Sequence, residues 1–351
     1  MSFSLIPSAL RTRLCHRIVQ HAIFFAAILV CAALSAYAQQ DEVAPLALPE
    51  EGSRRGIADV VMTPEKAEQS YYAGVHPYLE LPLEQLAQQI PEMKKIEPAA
   101  NQQALPTILK EAGDNVDSYF SNVVDLTARE KITLQRSVGK VSAAAHRVED
   151  NYLILRKPYR GGSQLVEYRT DAAGRHVDNI GMSLGFLATH GFAMMANFFG
   201  TGWQRESSFR YLGEQKLGSR DTYVVGFAQT PGLATLTVTM NAGDNLQYPV
   251  LTQGIAWIDK SNLQIIRMRT DLLAPHPELG LERQTTDVMF SEVRLADVPM
   301  PLWLPKDVKV DVRYKKHDSE NGRIQEVSFR NEHHYSEYRR YRVSVKMVAP
   351  Q

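Results

Sequence analysis

Residues 308–314 read Val-Lys-Val-Asp-Val-Arg-Tyr. Every second side chain is apolar, and along a β-strand alternate side chains share a face. One side of this strand meets oil and the other water, as in an antiparallel sheet with one wet face. The same period of two recurs elsewhere. Ile132 and Leu134 alternate with Lys131, Thr133 and Gln135; Leu236, Val238 and Met240 with Thr235, Thr237 and Thr239; Tyr341, Val343 and Val345 with Arg340, Arg342, Ser344 and Lys346. Turn-forming residues at 171–174, 217–220, 259–262 and Asn321–Gly322 separate the runs. About eleven strands are expected between residues 128 and 347. Those at 263–272, 302–315 and 324–346 are long. Many long, twisted strands in one sheet must curl, and short connections imply a mostly up-and-down order.

Two segments break this rhythm. In the stretch 106–124, Ile108, Leu109, Ala112, Val116, Tyr119, Phe120 and Val123 recur at steps of three and four, which predicts a helix with one apolar stripe. Pro106 suits its first turn, and Gly113 weakens its middle by about 1 kcal/mol. Residues 183–200, SLGFLATHGFAMMANFFG, show no alternation and carry Phe186, Leu187, Phe192, Met194, Met195, Phe198 and Phe199. They predict a helix apolar nearly all round, which has to be buried or lie against a hydrophobic ligand. The expected fold is mainly β with α (α+β): a single large curled antiparallel sheet, an incomplete barrel, packed on an N-terminal helix and this internal apolar helix.

Upstream, residues 39–100 read as a Pro-rich, acidic lead-in: residues 41–100 hold 11 acidic against 5 basic side chains. Its first half is expected as a tether and its second as a strap on the body, with a short helix over 83–90 stopped by Pro91. Residues 1–38 have the layout of a secretory signal peptide: Arg11, Arg13 and Arg17, an apolar run from Ala22 to Ala36, and Ala36-Tyr37-Ala38 before Gln39. Cleavage after Ala38 would remove both Cys15 and Cys31 and leave 313 residues with a net charge of −3: the lead-in, partly disordered, and then a single antiparallel β domain with helices over 101–351. A periplasmic or secreted location follows, in a protein held together by its core alone. The whole chain is 44% hydrophobic and 22% charged, which excludes wholesale disorder. Its 39 basic and 39 acidic residues argue against a nucleic-acid partner bound by phosphate neutralisation.

The stretch Gln253-Gly-Ile-Ala-Trp-Ile-Asp-Lys260, returning through Ile266-Arg-Met-Arg-Thr-Asp271, resembles the hairpin of the periplasmic lipoprotein-carrier fold. So does the order of a helix, a run of antiparallel strands, an interior helical insertion and more strands. That resemblance covers residues 100 to 347 and implies an incomplete barrel around an apolar cavity that receives acyl chains. The phrases Glu167–Asp171, Phe209–Gly213, Phe227–Pro231, Trp303–Pro305 and His334–Tyr338 are similar to those of a family of exported bacterial proteins without an assigned function. The similarity implies compartment and a long single domain, and no catalytic residues.

Candidate chemistry is sparse. The histidines show no H-E-x-x-H spacing, and His333 and His334, adjacent on a strand, point to opposite faces; no metal site or cofactor is expected. Gly181-Met-Ser183-Leu-Gly185 fits the letters of a nucleophile elbow, but that elbow needs a parallel α/β sheet. A serine hydrolase using Ser183, with His190 nearby, is the distant alternative. Glu149 with Asp150, and Asp307 with Asp311, read as ordinary strand carboxylates. Residues 306–346 carry 11 basic and 7 acidic side chains among Tyr314, Phe329, Tyr335, Tyr338 and Tyr341, a solvated face that suits peripheral membrane contact.

The expectation is therefore a non-enzymatic envelope protein that binds a lipid or acylated protein in an apolar cavity. Phe192, Met194, Met195, Phe198, Phe199, Trp203, Trp257 and Met268 are the candidate lining. A protein-interaction or sensor module with a dry core is the alternative. Oligomeric state is not legible.

Overall fold

The computed structural model describes residues 64–159, 162–177, 191–236, 238–241, 247–296, 298–317 and 324–341. The expected signal at 1–38, the first part of the lead-in, Ser183, His190, the Asn321–Gly322 turn and residues 342–346 lie outside these.

Three α-helices precede or open the body: α1 (Pro64–Tyr71), α2 (Leu83–Gln89) and α3 (Leu105–Asn122). The strands are β1 (Glu97–Pro98), β2 (Leu126–Val138), β3 (Val141–Ser142), β4 (His146–Tyr159), β5 (Gly162–Thr170), β6 (Ser207–Leu217) and β7 (Arg220–Gln229). There follow β8 (Val238–Asn241), β9 (Gln247–Val250), β10 (Thr252–Asp259), β11 (Ile265–Leu272), β12 (Leu281–Val293), β13 (Leu302–His317) and β14 (Ile324–Arg340).

Twelve strands form one antiparallel sheet in the order β1-β6-β7-β10-β11-β12-β13-β14-β2-β4-β5, with β3 paired to β2; β8 and β9 pair separately. The order is a meander from β6 to β14 that then adopts β2, β4 and β5 as its last strands. The β14–β2 pairing joins the end of the chain to its beginning, through partners such as Asn331 with Leu134 and Tyr335 with Glu130. The sheet does not close. Among the described residues the sheet ends at β1, paired to β6, on one side and at β5 on the other.

The alternation in β13 is realised. Val308, Val310 and Val312 are buried in the main core, while Lys309 and Arg313 on the other face are exposed. That core is shared by the inner faces of the strands, by Ile108, Ala112 and Val116 of α3, and by Phe192, Phe198 and Phe199.

β10 departs from the one-wet-face pattern, for all eight of its residues are buried. The reason is the strap. Leu86 and Ile90, with Met93 of the following 3-10 turn, cover Leu212, Val224, Ile255, Trp257 and Ile266 on the outer face. Polar clasps hold it in place. Arg210 donates to the carbonyls of Leu79 and Leu81 at 2.9 and 2.8 Å. The Tyr78 amide donates to Gln253 Oε1 at 2.7 Å, and Arg267 donates to Glu92 at 2.9 Å.

Tyr314, Phe329 and Tyr335 do not share one wet face with the arginines, while Tyr341 is exposed. Tyr335 is buried in the main core, and Tyr314 and Phe329 pack against it. Their positions on β13 and β14 are even-numbered and odd-numbered respectively, and the register sets both on the inner side with Val312.

Candidate functional site

In its described part the internal apolar segment is wound more tightly than an α-helix. Its described part is a 3-10 helix, Phe192–Phe199, opened by Gly191 in the left-handed region at φ 95° and closed by Gly200. Runs of 3-10 helix beyond three or four residues are uncommon, because their hydrogen-bond geometry is poorer than that of an α-helix. Packing therefore supplies much of what holds these eight residues. Phe199 is fully buried, with its ring 5.2 Å from that of Phe209 and 5.6 Å from that of Phe227; Phe198 lies 5.2 Å from Phe227. Edge and tilted pairs at such separations are the favourable arrangements for aromatic rings.

Both ends of the segment are tied down. Glu167 of β5 accepts the amides of Gly191 at 2.9 Å and Ala193 at 3.0 Å, and also the Tyr152 hydroxyl. This carboxylate serves the free amides that any helix start leaves over. Burial pushes its pKa above the ordinary value despite those donors. At the other end Asp117 of α3 accepts the amide and hydroxyl of Thr201, and Gln204 donates to the carbonyls of Leu109 and Phe199 at 2.8 and 2.7 Å.

Gly113 explains how α3 comes so close. A Cβ there would lie 2.9 Å from the Phe199 carbonyl oxygen and 2.5 Å from Gln204 Nε2. Alanine in a helix interior ordinarily stabilises by about 0.5–1 kcal/mol relative to glycine. Here the gain is reversed: Gly113→Ala is expected to destabilise by about 1–3 kcal/mol through overpacking. Thermal unfolding checks the sign, and a raised midpoint would mean that α3 does not touch the segment.

Six of the eight candidate lining residues come together. Phe192, Met194, Met195, Phe198 and Phe199 belong to the main inner core with Met268 of β11, the two methionines of the segment only partly buried. Trp257 does not. Its neighbours Ala256 and Ile258 face the inner core, so period two sends the indole to the outer face beneath the strap. There its Nε1 donates to Gln215 Oε1 at 2.8 Å and the Arg267 guanidinium stacks 4.5 Å from the ring. Trp203 is half-buried at the start of the short 3-10 turn Gln204–Glu206, outside the core cluster. A cleft of about 610 Å³ lies elsewhere, between the strap and the β6–β7 edge, lined by Tyr72, Leu79, Gln102, Phe209, Arg210 and Ala228 among others.

Beside the segment, on the same inner face, is a cluster of charge that the alternation did not reveal. Glu130 of β2 is fully buried and accepts four hydrogen bonds: Arg169 Nε at 2.6 Å, Arg169 Nη2 at 2.8 Å, His333 Nδ1 at 2.8 Å and the Tyr335 hydroxyl at 2.6 Å. Burial opposes its charge, but these donors win and hold its pKa down to about 2. Burial, the largest cause, keeps His333 below its ordinary value, and nearby Arg169 adds to this against the pull of Glu130. A neutral imidazole facing an ionised carboxylate carries its proton on Nδ1. The Phe192 ring stands 5.0 Å from that of His333, so the cluster abuts the start of the segment.

The other polar candidates are structural. His334 is on the opposite face from His333 and pairs with exposed Asp307 at 2.7 Å. Asp311 pairs with Arg330, and Glu149 with Arg129. Asp150, next to Glu149, faces inward and is buried, its pKa pushed up by burial and then by Glu130. Among the described residues no three His, Cys, Asp or Glu side chains converge to hold a metal ion, and no helix is long and apolar enough to cross a membrane.

No protein-family model matches this chain, and neither does any curated protein. Among solved structures it is similar to a DUF1329 family protein from Desulfovibrio piger, with 12% identity, 69% of this chain and 94% of that one covered, and a TM-score of 0.34. It is also similar to a LolA superfamily protein from Nitrosomonas europaea, with 11% identity, 68% and 94% covered, and a TM-score of 0.26.

Proposed function

We propose that this chain is an exported, non-enzymatic carrier that holds the apolar part of a lipid or lipidated partner on the inner face of its sheet, with residues 192–199 as a displaceable plug. The observation that carries this reading is the seating of an eight-residue 3-10 segment of Phe, Met, Ala and Asn across the inner side of a sheet that does not close. A core built only for stability has better fillers than a long 3-10 run. Met194 and Met195 are adaptable and partly exposed, which suits replacement by chains of variable shape. The tying groups at each end are polar and reversible. Burying an acyl chain supplies about 0.8 kcal/mol per methylene, which offsets part of the burial that the plug gives up when it is displaced.

Mass spectrometry of organic extracts from gently purified protein, together with uptake of a fluorescent fatty acid, tests this. Co-extracted lipid or saturable uptake is the expected result. A lipid-free preparation that takes up no fatty acid would leave residues 192–199 as core packing only.

A further inference from the structure

Next to the plug, the inner face carries polar atoms with nothing to bond to. Asn331 is 1% exposed, and neither its Oδ1 nor its Nδ2 has a hydrogen-bond partner among the described residues. The same is true of His333 Nε2, Gln284 Oε1 and Arg136 Nε. Native folds satisfy nearly all such groups, so a set of them on one face points to something that fills it.

The register shows that they form a set. Gln284, Val312, Phe329 and Arg136 make one row across β12, β13, β14 and β2. Asn331 and His333 follow Phe329 at steps of two along β14, with Val310 and Val308 opposite them. Val308, Val310 and Val312 belong to the inner core, so every member of the set faces inward. The patch meets the plug at His333, where Phe192 packs on the imidazole.

The inventory of donors and acceptors narrows what fits. With Nδ1–H committed to Glu130, His333 Nε2 is a bare acceptor. Gln284 Oε1 and Asn331 Oδ1 are acceptors too, while Asn331 Nδ2 and Arg136 Nε donate. Three acceptors need protons from the ligand. A phosphate or carboxylate offers none, whereas hydroxyl groups both donate and accept.

We infer that this patch is the headgroup subsite of the carrier, and that it selects an amphiphile with an uncharged, hydroxyl-bearing headgroup. The inference rests on the carrier reading above. A chain that displaces residues 192–199 leaves its polar end beside His333 and Asn331.

The test compares 1-monooleoylglycerol, oleate and methyl oleate as displacers of a fluorescent fatty acid from the full chain. Monooleoylglycerol is expected to bind at least tenfold more tightly than either competitor. Asn331→Leu should remove that preference while leaving methyl oleate unchanged, and Gln284→Leu should reduce it. Equal binding of the three by the unaltered protein overturns the headgroup subsite and leaves the carrier standing, the orphaned atoms then being served by water. A preference that survives both substitutions overturns it as well. Should the probe bind and none of the three displace it, the subsite is overturned alone; should the protein be free of lipid and the probe not bind, the carrier reading falls and takes the subsite with it.

Discussion

Glu130→Gln is expected to lower the unfolding free energy by about 3–5 kcal/mol, the cost of removing one partner of a buried ion pair. The substitution is nearly isosteric, so volume is not the cause. Glu130 presents only acceptors, and all of its capacity is used by Arg169, His333 and Tyr335. Whichever way the amide turns, its NH2 meets at least one of these donors, and the ionised partner that the Arg169 guanidinium, itself 5% exposed, grips with two hydrogen bonds is lost. Urea titration reads the loss directly. The double variant Glu130→Gln with Arg169→Met should be more stable than the single one, because it also removes the buried charge whose main hydrogen-bonded carboxylate has gone. If the single substitution costs less than about 1 kcal/mol, the value of an ordinary hydrogen bond, the four bonds are not made as described.

The same cluster sets an acid limit. Glu130 has a folded pKa of about 2 against an ordinary 4.5. A depressed carboxylate contributes stability that is complete above 4.5 and is lost as pH falls from there toward 2, here about 3 kcal/mol. His333, whose folded pKa is also depressed, acts in the same direction, its share being lost as pH falls below 6.5 through its folded value. Glu167 acts oppositely, for its folded pKa is raised. Its share is present below 4.5 and lost as pH rises through the folded value. Acid unfolding of the unaltered protein should therefore be steep below pH 4.5, and Glu130→Gln should flatten that part of the profile.

Much of this architecture is visible in the sequence, and the reasons for the rest are specific. Period two and turn chemistry mark the strands because one face of β13 and its neighbours is wet. The pattern fails at β10, where Ile255, Ala256, Trp257 and Ile258 are apolar on both faces. No alternation remains to tell which way the indole points once a strap covers the outer side. A run with Asn197 as its one polar residue likewise carries too little pattern to tell helix type, so nothing in residues 192–199 marks them as 3-10 rather than α. The charge cluster has a visible half. Glu130 falls on the apolar face of β2, two residues before Ile132, and a carboxylate at an inward position demands a partner. Its partners are not legible, because Arg169 and His333 are separated from it by 39 and 203 residues and meet it only through the sheet order.

Phe199→Ala separates a plug from a filler. The ring is fully buried between Phe209 and Phe227, so its removal is expected to destabilise by about 3–5 kcal/mol, transfer and cavity terms together. Either role predicts that loss. They differ in what the vacated space does. A cavity lined by Phe198, Phe209 and Phe227 is apolar, stays dry and admits an apolar guest. In a carrier whose ligand must displace residues 192–199, loosening the segment lowers the work of displacement, and uptake of a fluorescent fatty acid should rise severalfold. Leu86→Ala is the control. It opens the outer cluster beneath the strap, with an expected loss of about 2–5 kcal/mol, on the face opposite the plug. Uptake should follow Phe199→Ala and ignore Leu86→Ala. If both variants raise uptake in proportion to their loss of stability, the probe is reading general loosening, and the segment is not a gate to the inner face.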